Sequence, residues 1–249
     1  MLASQRKQQI LQILNAEKQV QSGELSLRFS VSEDSIRRDL RELAAEGLLQ
    51  RVHGGALPVS AAIAPLETRK NVQSGSKQAV AQKAVKLIQP GQVVIFDGGT
   101  TTHELVRLLP ANLPFTAVTH SPTIAVALVD FPLVEVILIG GILFRHSVVT
   151  MGAATLESIN RINADLFFMG VTGIHPTAGL TTGHYEEACV KRSLAARAAE
   201  TVVMASQEKL NSASPFAIGD LKLASAIIAE HPLDNDLQAA CQNQGVAVI

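Results

Sequence analysis

The 249-residue chain has only two cysteines, Cys189 and Cys241. They lie far apart and in no ligand-like cluster, so neither a disulfide framework nor a cysteine metal site is indicated. An excess of either charge is also missing. Twenty-one Lys and Arg stand against 22 Asp and Glu, a formal net charge of −1. Any contact with nucleic acid must therefore come from a local basic face. No segment approaches the ~20 unbroken apolar residues of a membrane-spanning helix. The opening "MLASQRKQQI" is too polar for a secretory signal. These absences predict a cytoplasmic protein with no membrane partner. His120, His175 and His184 show no metal-ligand spacing, and no nucleophile sits beside a base, so no metal, cofactor or catalytic residue is implied.

What is present divides into two regions. Residues 1–57 hold three helix-like patterns. The first, "RKQQILQILNAEKQV", repeats apolar residues at helical spacing, and "SGELSLRFS" is a short helix for which Ser22 is a candidate cap. The third is "SEDSIRRDLRELAAEGLL". Ser32 is its N-cap, Glu33 and Asp34 fall where the helix dipole favours negative charge, and Gly47 ends it. "LLQRVHGGALPV" then reads as two short strands around a Gly-Gly turn. Residues 58–75 follow neither period and are taken as a linker. From residue 76 to 249, apolar runs at 93–96, 115–119, 134–139, 165–169, 201–205, 225–229 and 245–249 alternate with helical stretches. Continuous apolar strands separated by helices predict an α/β domain around a mostly parallel sheet covered on both faces.

The first region has the order of a winged helix-turn-helix, whose third helix enters the major groove of duplex DNA. At about 100° per residue, Ile36, Leu40 and Leu43 share one face. Arg38 and Arg41 fall opposite, with Ser35 and Arg37 on the flanks. Arginine reads guanine edges and clamps phosphates. Arg51, His53 and Gly54 sit on the wing, where backbone can approach a phosphate. The alternative is a solvated face, since Glu33–Arg37 and Asp34–Arg38 have the spacing of surface ion pairs.

In the second region "DGGTTT", residues 97–102, links a strand to a helix. Gly98 and Gly99 allow close backbone approach, and Thr100 and Thr101 offer hydroxyls and amides at a helix N-terminus, where anions bind. Thr101 and Glu104 have capping-box spacing. Lys191 and Lys209 are candidates to neutralise a phosphate, and Asp97 to accept hydrogen bonds from sugar hydroxyls. The plain alternatives are a tight turn, an ordinary cap and a Glu187–Lys191 surface pair.

"VSEDSIRRDLRELAAEGLLQRVHGGAL" resembles the DeoR family of bacterial transcriptional regulators. The likeness rests on Ser32, Ser35, Ile36, Arg37, Arg38, Asp39, Leu40 and Leu43, and on the wing Arg51, His53, Gly54, Gly55 and Ala56. It continues through "FDGGTTTHELVRLLP", "ADLFFMGVTGIHPTAGLTT" and "YEEACVKRSLAARAAETVVMASQEKL". It implies a sensor domain similar in fold to ribose-5-phosphate isomerase, a phosphorylated sugar or polyol as effector, and operator DNA as partner. Two recognition helices in successive major grooves of a repeated or palindromic site call in turn for a homo-oligomer of at least two copies. Carried over position by position, the effector site comprises Asp97, Gly98, Gly99, Thr100, Thr101, Gly140, Gly141, Gly170, Gly173, Thr181, Thr182, Glu187, Lys191 and Lys209. His120 is added where the family often has Asn, and Ser206 stands where it often has Asp. The competing reading is a sugar-phosphate isomerase with an N-terminal oligomerisation arm. Against it, Met169 and Thr172 occupy places where the isomerase has acidic residues, and proton abstraction needs a carboxylate. Binding without turnover is the reading preferred.

Overall fold

The structure is a computed structural model that describes residues 2–249. At the N-terminus come α1 (Ala3–Glu17), β1 (Val20–Gln21), α2 (Ser22–Phe29), α3 (Glu33–Ala45), β2 (Gln50–Val52) and β3 (Gly55–Leu57). The stripes read from the sequence meet in one buried cluster: Ile10 and Leu14 of α1, Leu25 of α2, and Ile36, Leu40 and Leu43 of α3. Ser32 caps α3 by accepting the Ser35 N–H at 3.3 Å, and Gly47 leaves the helix at φ +73°. Ser22 does not cap α2. It is the first helical residue and is buried. The cap position falls on Gln21, held extended in β1 by pairing with Gly55. The wing is thus three-stranded, in the order β1-β3-β2.

Residues 58–75 are ordered and pack against the second region. A 3-10 turn at Ala61–Ile63 and α4 (Leu66–Arg69) occupy them, and α5 (Ser74–Ala84) starts inside them. Ala62 and Leu66 are buried.

The remainder runs β4 (Val93–Phe96), α6 (Thr100–Arg107), β5 (Phe115–Thr119), α7 (Pro122–Leu128), β6 (Val134–Leu138), β7 (Ile142–Phe144), β8 (Val149–Met151), α8 (Ala153–Ile159) and β9 (Ala164–Gly170). It continues with β10 (Gly173–His175), β11 (Gly179–Thr182), α9 (Tyr185–Ala195), β12 (Ala198–Ala205), β13 (Phe216–Gly219), β14 (Ala226–Ala229), α10 (Asn235–Asn243) and β15 (Ala247–Val248). Seven strands form one sheet in the order β15-β14-β12-β9-β4-β5-β6. Every pairing in it is parallel. Each strand matches one of the apolar runs.

Side chains alternate across the sheet. Ile95, Phe167, Val203 and Ile227 enter one core with α8, α9 and α10. Val94, Phe96, Phe168, Val202 and Ile228 enter the other with α5, α6 and α7. Burying both faces explains why these strands read as unbroken apolar runs. Phe96, Phe167 and Phe168 are fully enclosed, each worth about 1.5–3 kcal/mol in burial. The chain winds from β4 towards β6 in one direction and from β9 towards β15 in the other. The β4–β9 junction is therefore the topological switch point, where open parallel sheets leave a crevice beyond the strand ends. A small antiparallel sheet, β10-β11-β13, and the β7–β8 hairpin stand beside that crevice.

Candidate functional site

The crevice holds a cavity of about 240 Å³. Its floor is the β4–α6 loop. Gly98 must be glycine: a Cβ there would lie 2.3 Å from Val149 Cγ1. Gly99, at φ +124°, is the N-cap position of α6. The first bond of the α6 turn runs from His103 N–H to Gly99 O at 3.1 Å. The amides of Thr100, Thr101 and Thr102 therefore form the open helix end, and all three residues line the cavity. The capping box of Thr101 and Glu104 does not form. The helix starts two residues earlier than that box requires, with Gly99 and not Thr101 at the cap position; Thr101 Oγ1 accepts from Lys209 Nζ at 3.2 Å, and Glu104 pairs with Arg107.

Cations crowd this end. Lys209 is buried, donates also to Met204 O at 3.1 Å, and has no carboxylate within 4 Å among the described residues. Burial pushes its pKa down to about 8. Arg69 of α4 lines the cavity with no carboxylate within 4 Å among the described residues. Burial lowers its pKa too, against the opposing pull of Glu187, Asp97 and Glu208. Lys77 donates to Arg69 O at 2.5 Å.

Asp97 does not face the cavity, contrary to its expected role with sugar hydroxyls. It is fully buried, and its oxygens are already occupied. Oδ1 accepts the Gly98 N–H at 2.8 Å, Oδ2 accepts the Gly170 N–H at 2.8 Å, and Lys191 Nζ donates to Oδ2. It is the counter-ion that pins β4, β9 and α9 together. Lys191 accordingly pairs across the fold with Asp97 and not with Glu187 on its own helix. His120 Nε2 lies 3.4 Å from Asp97 Oδ1 behind the cavity, and burial lowers its pKa to about 4, so the ring is neutral.

Of the carried-over residues, the cavity brings together Gly98, Gly99, Thr100, Thr101, Gly170, Thr182, Glu187, Lys191 and Lys209. Asp97, His120, Gly140, Gly141, Gly173 and Thr181 lie outside its lining. Gly141 admits α8, since a Cβ would meet Thr155 Oγ1 at 2.0 Å, and Gly140 O accepts from that hydroxyl at 2.8 Å. Gly173 and Thr181 pair within the small sheet. Sequence reasoning missed Ile63, Arg69, Phe144, His146, His184 and Glu208, which also line it. The rings of Phe144 and His184 lie 4.4 Å apart. No periodicity marks these positions; only "ETRK" and the "SQEK" turn carry charges that hint at them.

The second surface is α3 with the wing. Arg37, Arg38, Arg41, Arg51, His53 and Gly54 are exposed, and Ser35 is half-buried beside the Ser32 cap. Arg37 is tied to Glu33 at 2.8 Å and to Asp34 at 3.7 Å. Arg38 and Arg41 have no carboxylate within 4 Å among the described residues, so the spacing of Asp34 and Arg38 does not become an ion pair. Beneath them Asp39 is buried and accepts from Arg6 Nε at 2.5 Å and Nη2 at 3.2 Å, locking α3 onto α1. The wing turn is glycine-bound: a Cβ on Gly55 would lie 1.9 Å from Val20 O.

Known proteins match both halves. The DeoR-like helix-turn-helix domain matches residues 6–61 and the DeoR C terminal sensor domain matches residues 72–231. The chain belongs to the DeoR family of transcriptional regulators. Similar DeoR-type proteins include the HTH-type transcriptional regulator GlpR of Haloferax volcanii, 35% identical over 100% of this chain and 98% of that protein. The glycerol-3-phosphate regulon repressor of Escherichia coli strain K12 is 30% identical over 93% of this chain and 92% of that one. The L-fucose operon activator of Haemophilus influenzae is 27% identical over 98% of each. Among solved structures, ribose 5-phosphate isomerase A of Methanocaldococcus jannaschii overlays 55% of each chain at 19% identity and a TM-score of 0.42. With a DeoR helix-turn-helix and DeoR regulators as its relatives, the chain is a regulator and not an enzyme. Among the described residues, no helix is long and apolar enough to cross a membrane.

Proposed function

We propose that this DeoR-family regulator is a repressor whose operator affinity is set by a phosphorylated sugar or polyol held in the cavity at the β4–β9 switch point. One observation carries the reading. Five buried side-chain atoms lack a hydrogen-bond partner among the described residues, and three belong to this cavity's wall: Arg69 Nε, His184 Nδ1 and Glu208 Oε2. Buried polar atoms are normally satisfied. Arg69 Nε can only donate and Glu208 Oε2 accepts, so the complementary ligand is anionic at one end and hydroxylated at the other. The α6 amides, Lys209 and Arg69 suit a phosphoryl group; Glu208, Glu187 and His184 suit hydroxyls. The relative named as a glycerol-3-phosphate regulon repressor supports this chemistry.

Operator contact is assigned to α3 and the wing. Ser32 and Ser35 stand at the helix N-terminus, Arg38, Arg41 and Arg51 have no carboxylate within 4 Å among the described residues, and Arg37, His53 and Gly54 flank them. Two readers on a repeated or palindromic site require at least a dimer. The exposed apolar residues Ile137, Leu138, Ile142 and Leu143 on β6 and β7 suit a contact between copies. Operator binding places its work in the cytoplasm of a cell without a nucleus, as in the bacterial and archaeal relatives. A thermal-shift screen with sugar and polyol monophosphates beside their unphosphorylated forms tests the reading. Stabilisation confined to phosphorylated compounds supports it, and equal stabilisation by both forms sinks it.

A further inference from the structure

We propose that Arg69 is a phosphoryl-contacting residue of the effector site and that its capture links the occupied cavity to the DNA reader. The inference rests on the cavity reading above and adds where the signal leaves it. Arg69 belongs to neither the wing nor the parallel sheet. It sits on α4, in the segment that joins them, yet its side chain lines the cavity. Its Nε is buried without a partner, and among the described residues no carboxylate lies within 4 Å of its guanidinium. A half-buried guanidinium whose Nε is buried without a partner, in a cavity that an open helix N-terminus also lines, is matched by an oxyanion with several acceptor lobes.

The same segment is fastened at both ends to residues of the cavity. Val59 forms a bridge with Ala213, and Ser60 Oγ donates to Glu208 O at 3.2 Å while accepting the Ala62 N–H at 3.1 Å. Glu208 precedes Lys209 in the same turn. Further on, Leu66 N–H donates to His146 O at 3.0 Å, and His146 also lines the cavity. Ala62 and Ile63 of the segment line the cavity too. Upstream, the segment is the direct continuation of β3, whose Ala56 pairs with Val20 and with Arg51 of the wing. A ligand that draws Arg69 and Lys209 towards one phosphoryl group therefore pulls on a strap that begins in the wing. The differential contact required of an effector is the Arg69 pairing, made only when the strap lies against the occupied cavity.

Hydrogen exchange on the full-length protein tests this, using inorganic phosphate and a panel of three- to six-carbon sugar and polyol monophosphates as probes. In the wild type, the best-binding probe slows exchange at 98–103, 58–70 and the wing, 50–57. Arg69→Gln weakens that probe by roughly 10- to 100-fold, the worth of a charge-assisted hydrogen bond. At saturation, residues 98–103 of the variant are still protected but the wing is unchanged. Arg69→Lys, which keeps the charge but not the fork, gives an intermediate affinity and carries the test if the glutamine variant misfolds. Wild-type affinity and wing protection in either variant overturn the proposal and leave the cavity reading standing. Failure of every probe to protect 98–103 in the wild type overturns the cavity reading itself, and the proposal with it.

Discussion

The Asp97–Lys191 pair bears the most consequential test of how the site is built. Asp97→Asn keeps the volume and shape of the side chain. It removes the charge facing Lys191 and places an amide where two backbone N–H groups donate. Both side chains are more than nine-tenths buried. Breaking one half of such a pair costs about 3–5 kcal/mol, because the surviving charge is left buried without compensation. That is a large part of a total stability of about 5–15 kcal/mol. At about 2–4 °C per kcal/mol for a chain of this size, the melting temperature falls by roughly 6–20 °C. Lys191→Met costs somewhat less, since Asp97 keeps the Gly98 and Gly170 amides. The double variant loses less than the sum of the singles by about 1–3 kcal/mol. The chain has no tryptophan and one tyrosine, so far-UV circular dichroism in urea, without ligand, is the suitable assay. An Asp97→Asn loss under about 1 kcal/mol, or strictly additive singles, refutes the claim that this carboxylate is the counter-ion holding β4, β9 and α9.

At the DNA surface, Arg38→Ala and Arg41→Ala each weaken operator binding by about 1–3 kcal/mol if they read a base, or lower the salt slope by about one if they hold a phosphate; Arg37→Ala, already paired with Glu33, costs less, as anisotropy titrations across salt would show. Asp39→Ala strands Arg6 in the core of the reader and destabilises it by about 3–5 kcal/mol, visible as early melting and reduced operator affinity. Lys209 gives a pH signature. Its folded pKa of about 8 lies below the ordinary lysine value of 10.5, so its burial destabilises the fold fully below pH 8, and that penalty fades as pH rises towards 10.5. Phosphoryl binding restores the ammonium, so affinity measured calorimetrically rises through the second phosphate ionisation near pH ~6 and falls above pH 8, and Lys209→Arg removes the upper fall.

Much of this was legible in the sequence for identifiable reasons. The seven parallel strands announced themselves because burial on both faces demands unbroken apolar runs. The third helix was readable because Ile36, Leu40 and Leu43 form a stripe that leaves the arginines outside. The β7–β8 hairpin and the β10-β11-β13 sheet were not visible, since strands of three or four residues carry too few alternations to register a period. Asp97 and Lys191 stand 94 residues apart, and local spacing offered Lys191 the nearer Glu187 instead. Arg69 lay in a stretch without either period, so it read as linker. Its place in the cavity depends on tertiary contacts with residues 146 and 208, which no local pattern encodes.

The most direct measurement is fluorescence anisotropy of the full-length protein on an operator duplex recovered by selection from random DNA, titrated with the sugar and polyol monophosphates. The account predicts that at least one phosphorylated compound shifts operator affinity by about 5- to 150-fold, the usual range of coupling between two sites, while its unphosphorylated counterpart does nothing and Lys209→Met abolishes the shift without altering DNA affinity in its absence. Equal responses to phosphorylated and unphosphorylated compounds, or an undiminished response in Lys209→Met, would contradict it.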